Sequence, residues 1–185
     1  MSRRSVIAAA AIVSLAAAVP AAAQHDRSFT PKKDAGAPVL LAKRTKTSGC
    51  KLGPTPDRKC SPGAYGTKLT QKVVCGSRFA TGDYRDVPQS LKSAVERSYG
   101  LKLRRYGKTL EIDHIVSLEL GGSNDIANLF PEKRDVAPGY KLKDKLENRL
   151  HDVVCTDHTM TLRQAQRAIA RDWRTLYRKV FGVAP

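Results

Sequence analysis

The last part of the chain shows the most regular spacing of apolar and polar residues. Between residues 161 and 181, apolar side chains recur so that they share one side of a helix. They are Leu162, Ala165, Ile169, Trp173, Leu176 and Val180. Nearly opposite them lie Arg163, Arg167, Arg171, Arg174 and Arg178. Thr161 and Gln164 have the spacing of a capping box, so the pattern predicts an amphipathic helix that begins after Thr161.

Three earlier segments also predict regular structure. Residues 140–155 place Leu142, Leu146, Leu150 and Val153 along one helical stripe. Residues 86–100 predict a second helix, with Asp86 as its cap, Pro88 in its first turn and Gly100 as its stop. Residues 67–75, TKLTQKVVC, are rich in β-formers and predict a strand, and residues 109–116, TLEIDHIV, alternate like another strand. Gly121 and Gly122 indicate a chain reversal, and residues 123–128 a helical turn.

The first 58 residues lack such patterns. Arg3 and Arg4, the apolar run 6–19 and the alanines at 21–23 predict a signal peptide over residues 1–23. The alternative, a membrane anchor, needs an apolar run of roughly 20 residues. Residues 24–58 mix Lys, Pro, Gly and Thr and predict a flexible basic arm, which either contacts phosphates or is a solvated linker. Residues 59–185 then form one folded domain.

Charge narrows the set of partners. The chain has 33 Lys and Arg against 17 Asp and Glu, a formal net charge of +16. The predicted signal peptide contains two arginines and no acid, so its removal leaves +14. Such an excess favours binding to polyanions, with nucleic acid first and anionic cell surfaces second. The arginine face of residues 163–178 is either a phosphate-binding surface or the solvated side of a surface helix.

The four cysteines are Cys50, Cys60, Cys75 and Cys155. An even number in an exported chain favours two disulfides, and no CxxC spacing indicates a zinc knuckle. Of three possible pairings we favour Cys50 with Cys60, which closes a short loop containing Pro and Gly, and Cys75 with Cys155, which joins distant segments. The sequence leaves the other two pairings open.

Asp113 and His114 are the candidate catalytic pair. An imidazole with a pKa near neutrality can take a proton from an attacking water, and a carboxylate can hold a divalent cation that stabilises charge on a phosphate. Asn124 or Asn128 can fix the loop so that the histidine keeps its orientation. Adjacent side chains of a regular strand point to opposite faces, so this pair must lie where the strand ends. The alternative is an acid and a histidine with no catalytic task.

The segment EIDHIVSLELGGSNDIANLFPE, residues 111–132, resembles the HNH endonuclease superfamily, in particular its exported bacterial members. Those proteins share a pattern of DH, LELGG, SND and NL. Similar matches occur at VVC (73–75), YRDV (84–87) and KDKLENRLHDVVC (143–155), and in the Trp173 helix. The resemblance therefore covers residues 60–181.

The resemblance implies a small α+β domain, stapled by disulfides, in which a ββα-metal core carries additional flanking helices. It implies His114 as general base, Asp113 as metal ligand and Asn128 as the asparagine that ties the loop, with Asn124 left as a turn residue. Arg85 matches an arginine that contacts phosphate in the family, although Asp83 or Asp86 are alternative ion-pair partners for it.

The chain departs from the family pattern at Lys141, where the resemblance leads us to expect a further metal ligand. An ammonium cannot coordinate a cation, although it could replace some of the stabilisation of a bound phosphate. Asp144, Glu132 and, less directly, Glu111 are the candidate substitute ligands.

The resemblance implies a periplasmic or extracellular endonuclease that uses one divalent cation, Mg, Mn or Zn, to hydrolyse DNA or RNA with little sequence preference. The basic side chains, Lys141 included, would then bind nucleic acid. The alternative is a non-catalytic polyanion-binding protein on a degenerate HNH scaffold. No apolar run after residue 23 is long enough to predict a membrane span in the mature chain.

Overall fold

The computed structural model describes residues 32–105, 109–134 and 139–185. Within these ranges the chain is a mixed α+β protein with two small antiparallel sheets, four α-helices and two disulfides. No helix in the same ranges combines the length and apolar character needed to cross a lipid bilayer. The predicted signal peptide and the first residues of the predicted arm lie outside the described residues.

Each sheet is a pair of short strands. β1 (Pro38–Leu40) runs antiparallel to β2 (Ala64–Gly66). β3 (Leu110–His114) runs antiparallel to β4 (Leu129–Lys133), with His114 opposite Leu129 at one end. β3 is the strand predicted from the alternating pattern, and it ends at the histidine of the candidate pair.

Four α-helices accompany the sheets: α1 (Gln71–Val74), α2 (Gln89–Ser98), α3 (Tyr140–Cys155) and α4 (Leu162–Phe181). Helices α3 and α4 confirm the two C-terminal predictions, and α4 begins with the predicted capping box of Thr161 and Gln164. α2 confirms the third predicted helix, but its N-cap is Pro88 and it has no side-chain cap, so the assignment of Asp86 as cap was wrong.

The strand predicted over residues 67–75 was also wrong. The Thr70 hydroxyl accepts a hydrogen bond from the Val73 N–H at 3.4 Å, which starts the single turn of α1. Local capping of this kind outweighs the β-propensity of Thr and Val in a short segment. The neighbouring strand, β2, instead lies at residues 64–66.

The hydrophobic core lies between α3, α4 and the segment that follows β3. Its fully buried side chains include Ile115, Leu120, Phe130, Leu146, Leu150, Ile169 and Trp173. The apolar side of α4 therefore packs inward as its spacing predicts. This packing fixes the position of α3 relative to the end of β3, where the candidate catalytic residues lie.

Residues 32–58, the described part of the predicted flexible arm, are held against the rest of the domain. β1 pairs with β2, Lys33 forms an ion pair with Asp83 at 2.8 Å, and Cys50 is disulfide-bonded to Cys60. Composition alone indicates disorder here because the segment has few apolar residues, but the pairing partners lie later in the chain.

The second disulfide joins Cys75 to Cys155, so both bridges have the pairing that we favoured.

Candidate active site

The end of β3 brings Asp113 and His114 to one pocket. Both residues line a cavity of about 570 Å³, together with Glu111 and Asp144. Neighbouring side chains point to opposite faces only while a strand continues, and β3 ends at His114. The two groups can therefore face the same space although they are adjacent in sequence.

His114 is oriented by Asn124. The histidine Nε2 lies 3.0 Å from Asn124 Oδ1, and the Asn124 amide nitrogen donates to the Tyr84 carbonyl at 2.7 Å. Because the amide N–H₂ group is directed at a carbonyl, the amide oxygen must face the ring, so Nε2–H is the donor. The neutral imidazole then has its lone pair on Nδ1, which can act as a base.

The residues alone allowed Asn124 or Asn128 to orient the histidine, and the resemblance left Asn124 as a turn residue; the contact with His114 is made by Asn124. Its role depends on the Tyr84 carbonyl, which lies 40 positions away, so spacing within the motif could not identify it. Asn124 is the residue in direct contact with the candidate base, and Asn128 is not.

The protonation state of His114 suits a base. The side chain is 2% exposed, and burial lowers its pKa from 6.5 to about 4, although the Asp113 charge and the Asn124 hydrogen bond oppose the shift. Arg85 and Lys143 lower the pKa further. The imidazole is therefore neutral at pH 7, with a free lone pair.

Asn128 ties the loop between the two strands, as the resemblance implies. Its amide oxygen accepts from the N–H groups of Ala64 (3.0 Å) and Val116 (2.9 Å). Its amide nitrogen donates to the carbonyls of Val116 (3.0 Å) and Ser123 (2.8 Å). All four hydrogen bonds are buried, and Asn128 does not line the pocket. It therefore holds the loop and β2 in place, and it does not itself face the pocket.

The loop also requires a glycine. A Cβ added at Gly122 would lie 1.8 Å from the Val116 carbonyl oxygen, far inside van der Waals contact. Gly121 has φ +72° and ends the turn of residues 118–120 in the left-handed region. The two glycines make the predicted chain reversal and let the loop close on the segment that follows His114.

A buried lysine from α3 contacts the candidate pair. Lys143 is 1% exposed, and its Nζ lies 2.6 Å from Asp113 Oδ2 and 2.7 Å from the His114 carbonyl oxygen. It also bonds the Glu147 carboxyl and lies 4.0 Å from Glu132 Oε2. The ammonium therefore cross-links α3 to the end of β3.

The ionisation of this cluster balances its charge. Burial would lower the pKa of Lys143, but the carboxyl groups of Asp113 and Glu147 raise it well above 10.5. Burial would raise the pKa of Asp113, but Lys143 lowers it below 3.8. Burial raises the pKa of Glu132 to about 10 and that of Glu147 to about 8. One ammonium, one carboxylate and two protonated carboxyls leave the cluster neutral, as a buried site requires.

Lys143 was not identified from the sequence, where Lys141 was the lysine noted at the position of the expected metal ligand. Lys141 is exposed and does not line the pocket, so its position argues against a direct role at the phosphate. The missed signal is that Lys143 and Glu147 share one helical face with Leu146 and Leu150, at spacings of three and four residues. Unpaired charges are rarely buried, so charged residues on an apolar stripe indicate that they have partners of opposite charge.

The candidate metal ligands divide into two groups. Asp113, Glu111 and Asp144 line the pocket, whereas Glu132 is buried behind it and protonated. Burial raises the pKa of Glu111 to about 7 and also raises that of Asp144. Glu132 is therefore unsuited to bind a cation in this arrangement, because its proton would first have to leave.

The pocket has an excess of acids. Six acidic side chains line it against three basic ones, a formal excess of three negative charges. The acids are Glu96, Glu111, Asp113, Glu119, Asp144 and Glu147, and the bases are Arg85, Lys92 and Arg104. No cluster of three or more His, Cys, Asp or Glu arranged to hold a metal occurs among the described residues. Carboxylate oxygens nevertheless suit Mg²⁺, which is usually held by one or two carboxylates with water and phosphate oxygens.

The predicted phosphate-binding residues occupy separate positions. Arg85 is exposed and lines the pocket, while Asp83 pairs with Lys33. Arg163 stacks over the Tyr65 ring, 3.3 Å from its centroid, and donates to Gln166 at 2.8 Å. Arg167, Arg171 and Arg178 are exposed, and Arg174 is half-buried. The arginine face of α4 is thus only partly free to meet a ligand.

Comparison with models of protein families, with curated proteins and with solved structures gave no significant match. What the chain does must therefore be inferred from the chemistry of the pocket and from the resemblance of its motifs. The acidic pocket, the oriented histidine and the buried lysine are the features from which such an inference starts.

Proposed function

We propose that the chain is an exported, HNH-type, metal-dependent endonuclease that hydrolyses DNA or RNA with little sequence preference. The observation that carries the proposal is the His114 imidazole, which is neutral, held by Asn124 through Nε2, and placed beside Asp113 in an open acidic pocket. A base of defined tautomer beside a carboxylate is what hydrolysis of a phosphodiester needs.

Each residue of the site has a distinct task in this proposal. His114 Nδ1 takes the proton of the attacking water, and Asn124 keeps the ring in the correct tautomer. Asp113, with Glu111 or Asp144, would hold the cation, which supplies Lewis-acid stabilisation of charge on the phosphate. Lys143 bonds Asp113 Oδ2 and so holds the carboxylate at the end of β3.

Further features support the same proposal. β3, β4 and α3 follow one another in the order of a ββα core, and Lys143 of α3 reaches the end of β3. An excess of negative charge in the pocket would repel a phosphate unless a cation is bound, so the lining favours a metal-dependent reaction. Two disulfides are typical of proteins in oxidising compartments, which supports export.

Supercoiled plasmid is the test substrate. The protein should nick it in Mg²⁺, Mn²⁺ or Zn²⁺ and stop when a chelator is added. His114→Ala should abolish nicking while DNA binding, measured by fluorescence anisotropy, is retained. His151→Gln is the matched control, because His151 does not line the pocket and should be dispensable. Loss of nicking in both variants, or in neither, would contradict the assignment of His114 as base.

The second candidate function is polyanion binding without catalysis. One observation favours it: the ammonium of Lys143 already neutralises Asp113, the residue proposed to bind the cation. The two candidates differ in their response to metal. A purified chain that binds DNA but does not nick it in any divalent cation would support the second candidate and exclude the first.

A further inference from the structure

The long helix α4 is interrupted at Asp172, and the interruption creates a second helix start. Asp172 has φ −167° and ψ 93°, values of extended backbone, between two helical stretches. Its carboxylate accepts from the N–H groups of Arg174 (3.1 Å) and Thr175 (3.2 Å) and from the Thr175 hydroxyl (2.7 Å). Asp172 therefore caps residues 173–181, and the first N–H groups of this stretch carry partial positive charge.

A pocket of about 310 Å³, here called the kink pocket, lies between this point of α4 and residues 55–58. Its charged lining consists of Arg58, Arg171, Arg174, Arg178 and Asp172. Four arginines against one aspartate give a formal excess of three positive charges, and both oxygens of the aspartate are engaged in capping. The sign of the charge is opposite to that of the candidate active site.

Two N–H donors of residues that line the kink pocket have no acceptor among the described residues. Trp173 is 1% exposed, and its indole Nε1 has no hydrogen-bond partner. The Nε of Arg174 is also buried without a partner. Buried donors in native proteins nearly always have an acceptor, and a ligand with acceptor oxygens would supply one here.

We propose that the kink pocket binds a phosphate group of a nucleic-acid backbone. Guanidinium groups bind phosphate oxygens through paired, charge-assisted hydrogen bonds, and an indole N–H can donate one more. The ligand is therefore a phosphate, bound mainly by Arg58, Arg174 and Trp173.

The surroundings favour a polymer over a single phosphate ion. Arg171 lines both the kink pocket and an adjoining groove, which also contains Arg167 and Lys179. A nucleic-acid strand presents regularly spaced phosphates and would bind in both the kink pocket and the groove, whereas a single ion would occupy only the kink pocket. The inference rests on the nucleic-acid binding proposed above but not on hydrolysis, because the kink pocket and the candidate active site share no lining residue.

Trp173 makes the proposal directly measurable, since it is the single tryptophan of the chain. The full-length protein, in chelator so that no cutting occurs, is titrated with a short single-stranded oligonucleotide while tryptophan emission is recorded. A saturable change in emission that weakens as salt rises is expected. Binding detected by anisotropy of the labelled oligonucleotide, without any change in Trp173 emission, would overturn the proposal.

Variants separate this pocket from general electrostatic attraction. Arg58 and Arg178 are both exposed, and no side-chain hydrogen bond or ion pair of either is found among the described residues, so Arg58→Gln with Arg178→Gln should fold normally. The double variant should bind about tenfold more weakly, with a salt dependence reduced by roughly one to two ions. Arg97→Gln with Arg105→Gln removes the same charge elsewhere and is the control. Equal losses in both double variants would contradict a specific site.

Two further ligands identify the source of the phosphate. Inorganic phosphate, at a concentration equal to that of the phosphate groups in the oligonucleotide, should change Trp173 emission much less than the oligonucleotide does. Vesicles containing phosphatidylglycerol should not change the emission at all. A response to inorganic phosphate that matches the oligonucleotide would assign the pocket to a free ion, and a response to vesicles to a membrane surface; either overturns the proposal. Because cleavage is blocked throughout, absence of nuclease activity would not affect these results.

Discussion

The Lys143 ammonium lies 2.6 Å from an Asp113 carboxylate oxygen, although the two residues are 30 positions apart in the chain. This contact joins α3 to the end of β3, and the Lys143 side chain is almost completely buried. The same ammonium holds the carbonyl of His114, so the positions of both candidate catalytic residues depend on one side chain.

Lys143→Met should strongly destabilise the fold. The substitution preserves the length of the side chain but leaves the Asp113 carboxylate buried without its cation, and removing one member of a buried pair costs about 3–5 kcal/mol. Lys141→Met, on the same helix but exposed, should change the free energy of unfolding by less than about 0.5 kcal/mol. Urea unfolding of both variants measures the difference. Equal stabilities would show that Lys143 is not essential to the packing of α3.

Asn124→Ala should reduce nicking and leave the fold largely intact. The substitution removes the acceptor that fixes the His114 tautomer, so we expect a loss of roughly 10- to 100-fold within the range that general-base catalysis contributes. Asn148→Ala, on the exposed side of α3, is the matched control. Plasmid nicking and a thermal melt of each variant separate the effect on activity from any effect on stability. Unchanged nicking in Asn124→Ala would exclude an orienting role.

Asn128→Ala should have the converse effect and lower stability. Four buried hydrogen bonds are lost, and the N–H groups of Ala64 and Val116 are left without their acceptor. Each buried group without a partner costs about 1–3 kcal/mol, so we expect a loss of about 3 kcal/mol or more in the free energy of unfolding. Denaturant unfolding monitored by circular dichroism tests this. A smaller loss than that of Asn124→Ala would contradict the structure of the loop.

Nicking should persist in mildly acidic solution. A histidine with its ordinary pKa of 6.5 is roughly nine-tenths protonated at pH 5.5 and would lose about tenfold in rate. The lowered pKa of His114, about 4, means that its base form is lost only as pH falls towards 4. The rate at saturating metal should therefore change little between pH 7 and 5.5.

The same measurement on Glu111→Gln identifies a second titration. The pKa of Glu111 is raised to about 7, so its protonation weakens cation binding below pH 7, an effect that saturating metal overcomes and that the substitution removes. An acid limb near pH 6.5 in both proteins would show that the pKa of His114 is not lowered.

The two disulfides should differ in their contribution to stability. Cys75–Cys155 spans 80 positions and Cys50–Cys60 spans 10, so loop-closure entropy predicts about 4.5 kcal/mol for the first and about 2.5 kcal/mol for the second. Paired Cys→Ser variants, compared by urea unfolding, give the two losses. A larger loss in the free energy of unfolding from removing Cys50–Cys60 would mean that packing of β1, rather than loop length, determines how much a disulfide stabilises the fold.

The elements that the sequence predicts well are those whose stabilisation is local or periodic. The apolar stripe and capping box of α4 specify that helix without reference to the rest of the fold, and the alternation of residues 109–116 identifies β3. Residues 67–75 were mispredicted because one hydroxyl cap at Thr70 outweighs a run of β-formers.

The site was predicted less completely, since its contacts join distant parts of the chain. The motif identified Asp113, His114 and the loop role of Asn128, but it could not decide between Asn124 and Asn128 as the residue that orients His114, because the partner of Asn124 is the distant Tyr84. Lys143 was missed because its burial is explained only by the carboxyl groups of β3 and β4 that surround it.

The bridge between Cys50 and Cys60 changes the effect of a cut in the loop that it closes. It encloses exposed basic residues, Lys51, Arg58 and Lys59, which trypsin-like proteases recognise. A chain cut at any of these residues would remain covalently joined on both sides of the nick, with the edge strand β1 still attached. The bridge therefore lets the molecule stay in one covalent piece after proteolysis in this basic loop.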